Sequence, residues 1–189
     1  AALLFEHGEQ LVAFVRLYLP ADVVFERARA VPAYREWVEA KILTLTDGQM
    51  IDYSVIERDI RGWCKEFDVQ DIVFDQFGSV QIAGNLSNDN LPARVESKNA
   101  KTFTPPAREL ETRVKYGRFR HDGNSCLKWM ASNVVVTRRT DDTILPKKES
   151  AESPNKIDGI DAILQAMGGW LQRPSGGEKK YQMFFAGGR

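Results

Sequence analysis

The feature that most constrains how this chain folds is a short apolar run that ends in a charge. Residues 72–75 read IVFD, just after a segment in which Tyr53, Ile56, Ile60, Trp63 and Phe67 recur at helical spacing behind Asp52, a suitable helix cap. Parallel strands covered by helices on both faces lose the polar/apolar alternation, so the run predicts a fully buried strand. A helix followed by such a strand predicts an α/β architecture with at least part of the sheet parallel. Asp75 closes the run and so falls at the carboxyl edge of the sheet, where open α/β sheets bind ligands.

A second carboxylate is placed to meet it. Asp158 lies near the start of KIDGIDAILQAMG (156–168), whose Ile157, Ile160, Leu164, Met167 and Leu171 form an apolar stripe. A carboxylate at the head of an apolar helix can approach that sheet edge, and converging carboxylates make a hard-oxygen site suited to Mg²⁺ or Mn²⁺. Each aspartate also has a plainer reading. Asp75 reads as a strand-end turn residue, and Asp158 as a first-turn carboxylate favoured by the helix dipole.

Elsewhere, ALLF (2–5) and LVAFVRLYL (11–19) flank a polar turn and predict a hairpin. Segment 21–40 reads as helix divided by Pro32, ILTLT (42–46) as a strand, and ARVES (93–97) as another. Thr104 before Pro105 and Pro106 predicts a helix start, with Gly117 as its end. SCLKWMAS (125–132) predicts a short helix, NVVVT (133–137) a strand, RRTDDT (138–143) a turn, and Ser153 with Pro154 the start of the last helix. Trp37, Trp63, Trp129 and Trp170 read as core rather than as a base-stacking platform.

Composition narrows the class. A chain of 189 residues suits one domain, with 1–172 forming the folded unit and the Gly-rich, basic 173–189 a flexible tail. Lys and Arg (26) balance Asp and Glu (26), which gives no global basic excess, so any nucleic-acid contact must come from local patches. Two cysteines, Cys64 and Cys126, and two histidines, His7 and His121, fall at no zinc-ligand spacing. No apolar run has the length of a membrane span and no signal peptide is evident, so the expected location is the cytoplasm.

HDGNSCLKWMASNVVV (121–136), followed about twenty residues later by KIDGIDAILQAMG, resembles the large terminase subunits of HK97-type tailed phages. PAYREWVEAKILTLTDGQMIDYSVIERDI (32–60) and DIVFDQF (71–77) fit the same pattern in the same order. The resemblance implies the C-terminal nuclease of a two-part protein whose N-terminal part is an ATPase. The implied fold is ribonuclease-H-like, a mixed sheet flanked by helices in one domain. No GxxxxGK[ST] phosphate loop is present, so ATP hydrolysis by that route is not expected.

The resemblance further implies an endonuclease that cuts concatemeric phage DNA when packaging starts and ends, using two Mg²⁺ or Mn²⁺ ions. Asp75 and Asp158 match two of the family's three acidic ligands; the third lies just upstream of the segment that ALLF resembles. Asp161, one turn beyond Asp158, matches no family ligand and is a supporting candidate for the metal face. The implied partners are double-stranded DNA, the ATPase domain, the small terminase subunit and the portal protein.

Lys147 and Lys148, in the loop before the last helix, are candidate contacts to the DNA backbone, or simply a solvated loop. His121 is a candidate phosphate contact, or an exposed loop histidine. The competing function is a non-catalytic, nuclease-like module that docks the motor onto the portal through 173–189. A junction resolvase is a third reading and would require a preference for branched DNA.

Overall fold

The structure is a computed structural model and describes residues 1–76, 78–173 and 182–184. A hairpin opens it: β1 (Ala2–His7) and β2 (Gln10–Val15) pair antiparallel around Gly8, whose φ of 61° suits a residue without Cβ. The long run 11–19 then breaks at Arg16, and β3 (Leu17–Pro20) leaves to pair in parallel with β4 (Leu43–Thr46). Between them lie α1 (Val24–Ala30) and α2 (Ala33–Glu39), split at Pro32 as expected.

Helix α3 (Tyr53–Glu66) starts at Asp52, whose Oδ1 accepts a hydrogen bond from the Ser54 N–H at 2.8 Å. It leads into β5 (Ile72–Asp75), α4 (Val80–Asn88) and β6 (Ala93–Glu96), and β6 pairs in parallel with β5. Helix α5 (Ala100–Lys115), β7 (Phe119–His121), α6 (Ser125–Ser132), β8 (Val135–Arg138), β9 (Ile144–Lys147), α7 (Asp158–Gln172) and β10 (Gln182–Phe184) complete the described chain. β7 joins β2 in parallel, and β10 runs antiparallel to β1 and lies alongside β5. The expected mixed sheet flanked by helices is present. Of the segment read as a tail, residues 174–181 and 185–189 lie outside the described residues.

Side-chain alternation divides the core. In β1, Ala2 and Leu4 enter one apolar cluster with α2, α6 and α7, while Leu3 packs toward a second cluster under α3 and α4. In β5, Val73 belongs to the α7 side, and Ile72 and Phe74 to the α3/α4 side. All three are at most 2% exposed, as a strand covered on both faces requires. By the same period of two, Asp75 shares the parity of Val73 and belongs to the face that α7 covers. The tryptophans follow the core reading: Trp37, Trp63 and Trp170 are buried, and Trp129 packs against Trp37 with ring centroids 5.2 Å apart.

Two helix starts differ from expectation. α5 begins at Ala100, not near Thr104, because Asn99 and Thr102 form a reciprocal capping box. The two prolines then sit inside the helix, and the Thr104 hydroxyl donates to the Ala100 carbonyl (2.5 Å) and accepts from the Ile144 N–H (2.8 Å), tying α5 to β9. α7 begins at Asp158 rather than at Ser153; the Ser153 hydroxyl instead donates to Glu149 Oε1 at 2.6 Å.

α7 is also buried more fully than a single stripe implies, from Ala162 through Trp170, because β1 and β5 cover one side and α5 and α6 the other. Gly159 makes the close approach possible: a Cβ there would lie 2.9 Å from Leu127 Cδ1 and 3.1 Å from Met130 Sδ.

Candidate active site

α7 packs against β5 and reaches the carboxyl end of β6 with side chains from both of its ends. Near its start Asp161 forms an ion pair with Lys98, two residues beyond the end of β6. At its end the Gln172 amide donates to Glu96 Oε1 at 3.0 Å. Asp75 pairs in register with Glu96 at the carboxyl ends of the two parallel strands, and its charge is felt at Asp161 in the first turn of α7. Asp158 is the first helical residue, at the end of the helix dipole that favours negative charge.

Electrostatics show that three aspartates share this edge. The Asp161 carboxyl is pushed up from 3.8 to about 6, first by burial and then by the negative charges of Asp158 and Asp75, with Lys98 opposing. Its Oδ1 is buried and has no hydrogen-bond partner among the described residues. Lys98 is held on its other side by the Phe103 ring, 5.4 Å from the ring centroid. The Asp158 charge is felt on its other flank too. The Cys126 thiol, fully buried, is pushed up to about 12, by burial and then by Asp158. Tyr34 is raised to about 12 by burial first, with Cys126 and Asp158 adding to it. Asp158 also borders a groove of about 370 Å³ whose walls include Leu17, Leu19, Phe74, Ile82 and Met130.

The other expected contacts are exposed or engaged within their own loops. His121 ends β7, and its Nδ1 accepts from the Gly123 N–H at 3.1 Å, a contact within its own loop. Lys147 is exposed at the end of β9. Lys148 is half-buried, and its ammonium donates to the carbonyls of Ala151 (2.6 Å) and Ser153 (3.3 Å), bracing the loop ahead of α7. Sequence reading missed Lys98, and also Arg27 and Lys156, which line the groove that Asp158 borders. For Lys98 a signal existed: once β6 is taken as parallel to β5, a lysine just past β6 must lie at the same edge as Asp75.

The chemistry of this edge fits a hard divalent cation. Three carboxylates lie within electrostatic reach of one another beside one lysine, and one buried carboxylate oxygen lacks a donor, a deficit that a cation would remove. Among the described residues, no three His, Cys, Asp or Glu side chains are close enough to hold an ion as they stand. The fit is one of donor type and burial rather than of a finished coordination cage.

Comparison with known proteins gives concordant results. The family described as the terminase large subunit, endonuclease domain, matches residues 17–173. Protein YmfN of Escherichia coli strain K12 is 34% identical over 160 residues, covering 81% of this chain and 35% of that protein. The terminase large subunit of Enterobacteria phage HK97 is 27% identical over 158 residues, covering 82% of this chain and 31% of that protein. The crystal structure of the HK97 large terminase superposes with a TM-score of 0.78 at 25% identity, over 89% of this chain and 36% of the other. The chain thus spans about a third of the length of these relatives.

Proposed function

The chain belongs to the terminase large-subunit endonuclease family, and on that premise we propose that it cuts double-stranded phage DNA during packaging by metal-dependent phosphodiester hydrolysis. The observation that supports this reading is a buried Asp161 carboxyl with an unpartnered oxygen where α7 begins, on which the charges of Asp158 and Asp75 both act. Structural burial alone would not bring three like charges to one sheet edge.

Asp75 and Asp158 are the residues that would hold the cations, Mg²⁺ or Mn²⁺ by donor type, with Asp161 supporting from behind. Bound there, a divalent ion supplies Lewis-acid polarisation of the scissile phosphate and a lowered pKa for the attacking water. The protein's own groups do the rest. The positive end of the α7 dipole favours a phosphate oxygen there. Lys98 neutralises Asp161, so the edge is not left with three uncompensated charges. The buried strand and helix fix both carboxylates against packed apolar side chains, which keeps their geometry from relaxing.

In the full protein the partners proposed are an ATPase domain on the same chain, the small terminase subunit and the portal, with residues 1–172 as the nuclease unit. The balanced charge of 26 basic and 26 acidic residues favours a second reading, a nuclease-like module that docks the motor without cutting.

Supercoiled plasmid separates the two. Nicking that requires Mn²⁺ or Mg²⁺, stops with EDTA and disappears in Asp75→Ala and Asp158→Ala supports the nuclease. Nicking that persists in both variants refutes the site, and metal-independent binding without nicking favours docking.

A further inference from the structure

Beside the carboxylate edge lies a second cavity, of about 270 Å³, and its walls are cationic. Arg27 enters from α1, Lys148 and Lys156 from the loop between β9 and α7, and all three are half-buried. Glu26 and Glu152 also border it, but both are exposed. Arg27, Tyr34 and Lys156 line this cavity and also the groove that Asp158 borders, so the two spaces share one wall.

Cations brought together away from bulk water repel one another unless an anion compensates them. Here the compensation within the protein is incomplete. Among the described residues neither Arg27 nor Lys156 has a carboxylate within ion-pair distance, whereas Arg16, Arg61, Arg94 and Arg113 all do. Lys148 directs two of its donors to loop carbonyls and so fixes the rim of the cavity. Arg27 retains a planar fork of five donors, the geometry that matches two oxygens of a phosphate.

We propose that this cavity binds a backbone phosphate of the DNA strand whose neighbouring phosphodiester lies at Asp158, with Arg27 and Lys156 as its ligands and Lys148 as the residue that positions the loop. The assignment rests on the nuclease reading of the carboxylate edge and adds what sets the strand's register there. A phosphate held one wall away fixes which phosphodiester faces the carboxylates. It also explains how a chain with no net charge engages a polyanion: three cations stand together in a cavity beside the site.

The test is the salt dependence of binding to a labelled duplex by fluorescence anisotropy, in EDTA, with plasmid nicking in Mn²⁺ run in parallel. Arg27→Gln and Lys156→Gln should each lower the slope of log K against log salt by about 1 and weaken binding roughly tenfold at low salt. Arg27→Lys should keep the slope, since the charge is retained, while losing part of the affinity. Lys65→Gln, an exposed lysine on α3, should leave both unchanged.

Slopes equal to the unmodified protein in both Gln variants, with unchanged thermal melts, overturn the assignment whether or not the unmodified protein nicks DNA. Lowered slopes without any nicking uphold the cavity and place the failure in the nuclease reading. Calorimetry with inorganic phosphate separates the sources of the anion: binding lost in Arg27→Gln while the DNA slope stays unchanged shows a site for free phosphate and refutes the DNA assignment.

Discussion

Asp161→Asn isolates the electrostatic account of the carboxylate edge, because it removes one charge while nearly preserving volume. In the folded protein the Asp161 carboxyl is raised from 3.8 to about 6. A raised acid favours folding fully below about pH 4, where both states hold the proton or the folded state holds it better, and that advantage is lost as pH rises through about 6. Two units at 1.36 kcal/mol each amount to about 3 kcal/mol. The side chain is only 14% exposed, so solvent screening removes little of this.

Asparagine has no proton to lose. The stability of Asp161→Asn relative to the unmodified protein should therefore climb by about 3 kcal/mol between about pH 4 and pH 7, or by roughly 6–12 °C in Tm for a chain of this size. Loss of the Lys98 ion pair offsets the whole curve without removing its pH dependence. Urea unfolding in EDTA at several pH values reads the difference directly. Parallel stability profiles for the two proteins would refute the claim that Asp75 and Asp158 press on a buried Asp161.

Three further outcomes follow from packing and capping. Gly159→Ala should destabilise by about 1–3 kcal/mol, since the added Cβ meets Leu127 and Met130 inside a filled core; an unchanged Tm would show that α6 and α7 have slack between them. Asn99→Ala should cost about 1 kcal/mol in chemical denaturation by opening the α5 capping box, and Asn99→Ser should recover most of it. Cys126, fully buried and with its thiol pushed up to about 12, should resist a thiol reagent until the protein unfolds; labelling at the rate of an exposed thiol in native buffer would contradict its packing.

What could be read in the sequence were the elements whose signals are local. The Asp52 cap with its helix, the buried IVFD strand and its terminal carboxylate, the Pro32 break and the short helix over 125–132 all stand where the pattern put them. Elements fixed by distant partners were not legible. The start of α5 was masked by its prolines, and only the Thr104 bridge to Ile144 explains how they are accommodated. β9 looked like loop because its Pro146 and short length hide a strand that exists through pairing with β8.

The site divides in the same way. Asp75 and Asp158 stood out because each sits at a change of periodicity. Lys98, Arg27 and Lys156 did not, since a lysine or arginine in a polar stretch carries no mark of the cavity it will line. Asp161 was visible as a carboxylate one turn on, but its burial and its pairing with Lys98 depend on the parallel placement of β6.

The most direct test of the central claim, that Asp75, Asp158 and Asp161 form one cation site, is a Mn²⁺ titration by isothermal calorimetry on the unmodified protein and on Asp75→Ala, Asp158→Ala, Asp161→Asn and the exposed-lysine variant Lys147→Gln. The account predicts saturable binding that falls at least about tenfold in Asp75→Ala and Asp158→Ala, falls less in Asp161→Asn, and is unchanged in Lys147→Gln. Mn²⁺ affinity that is the same in all five proteins would contradict it.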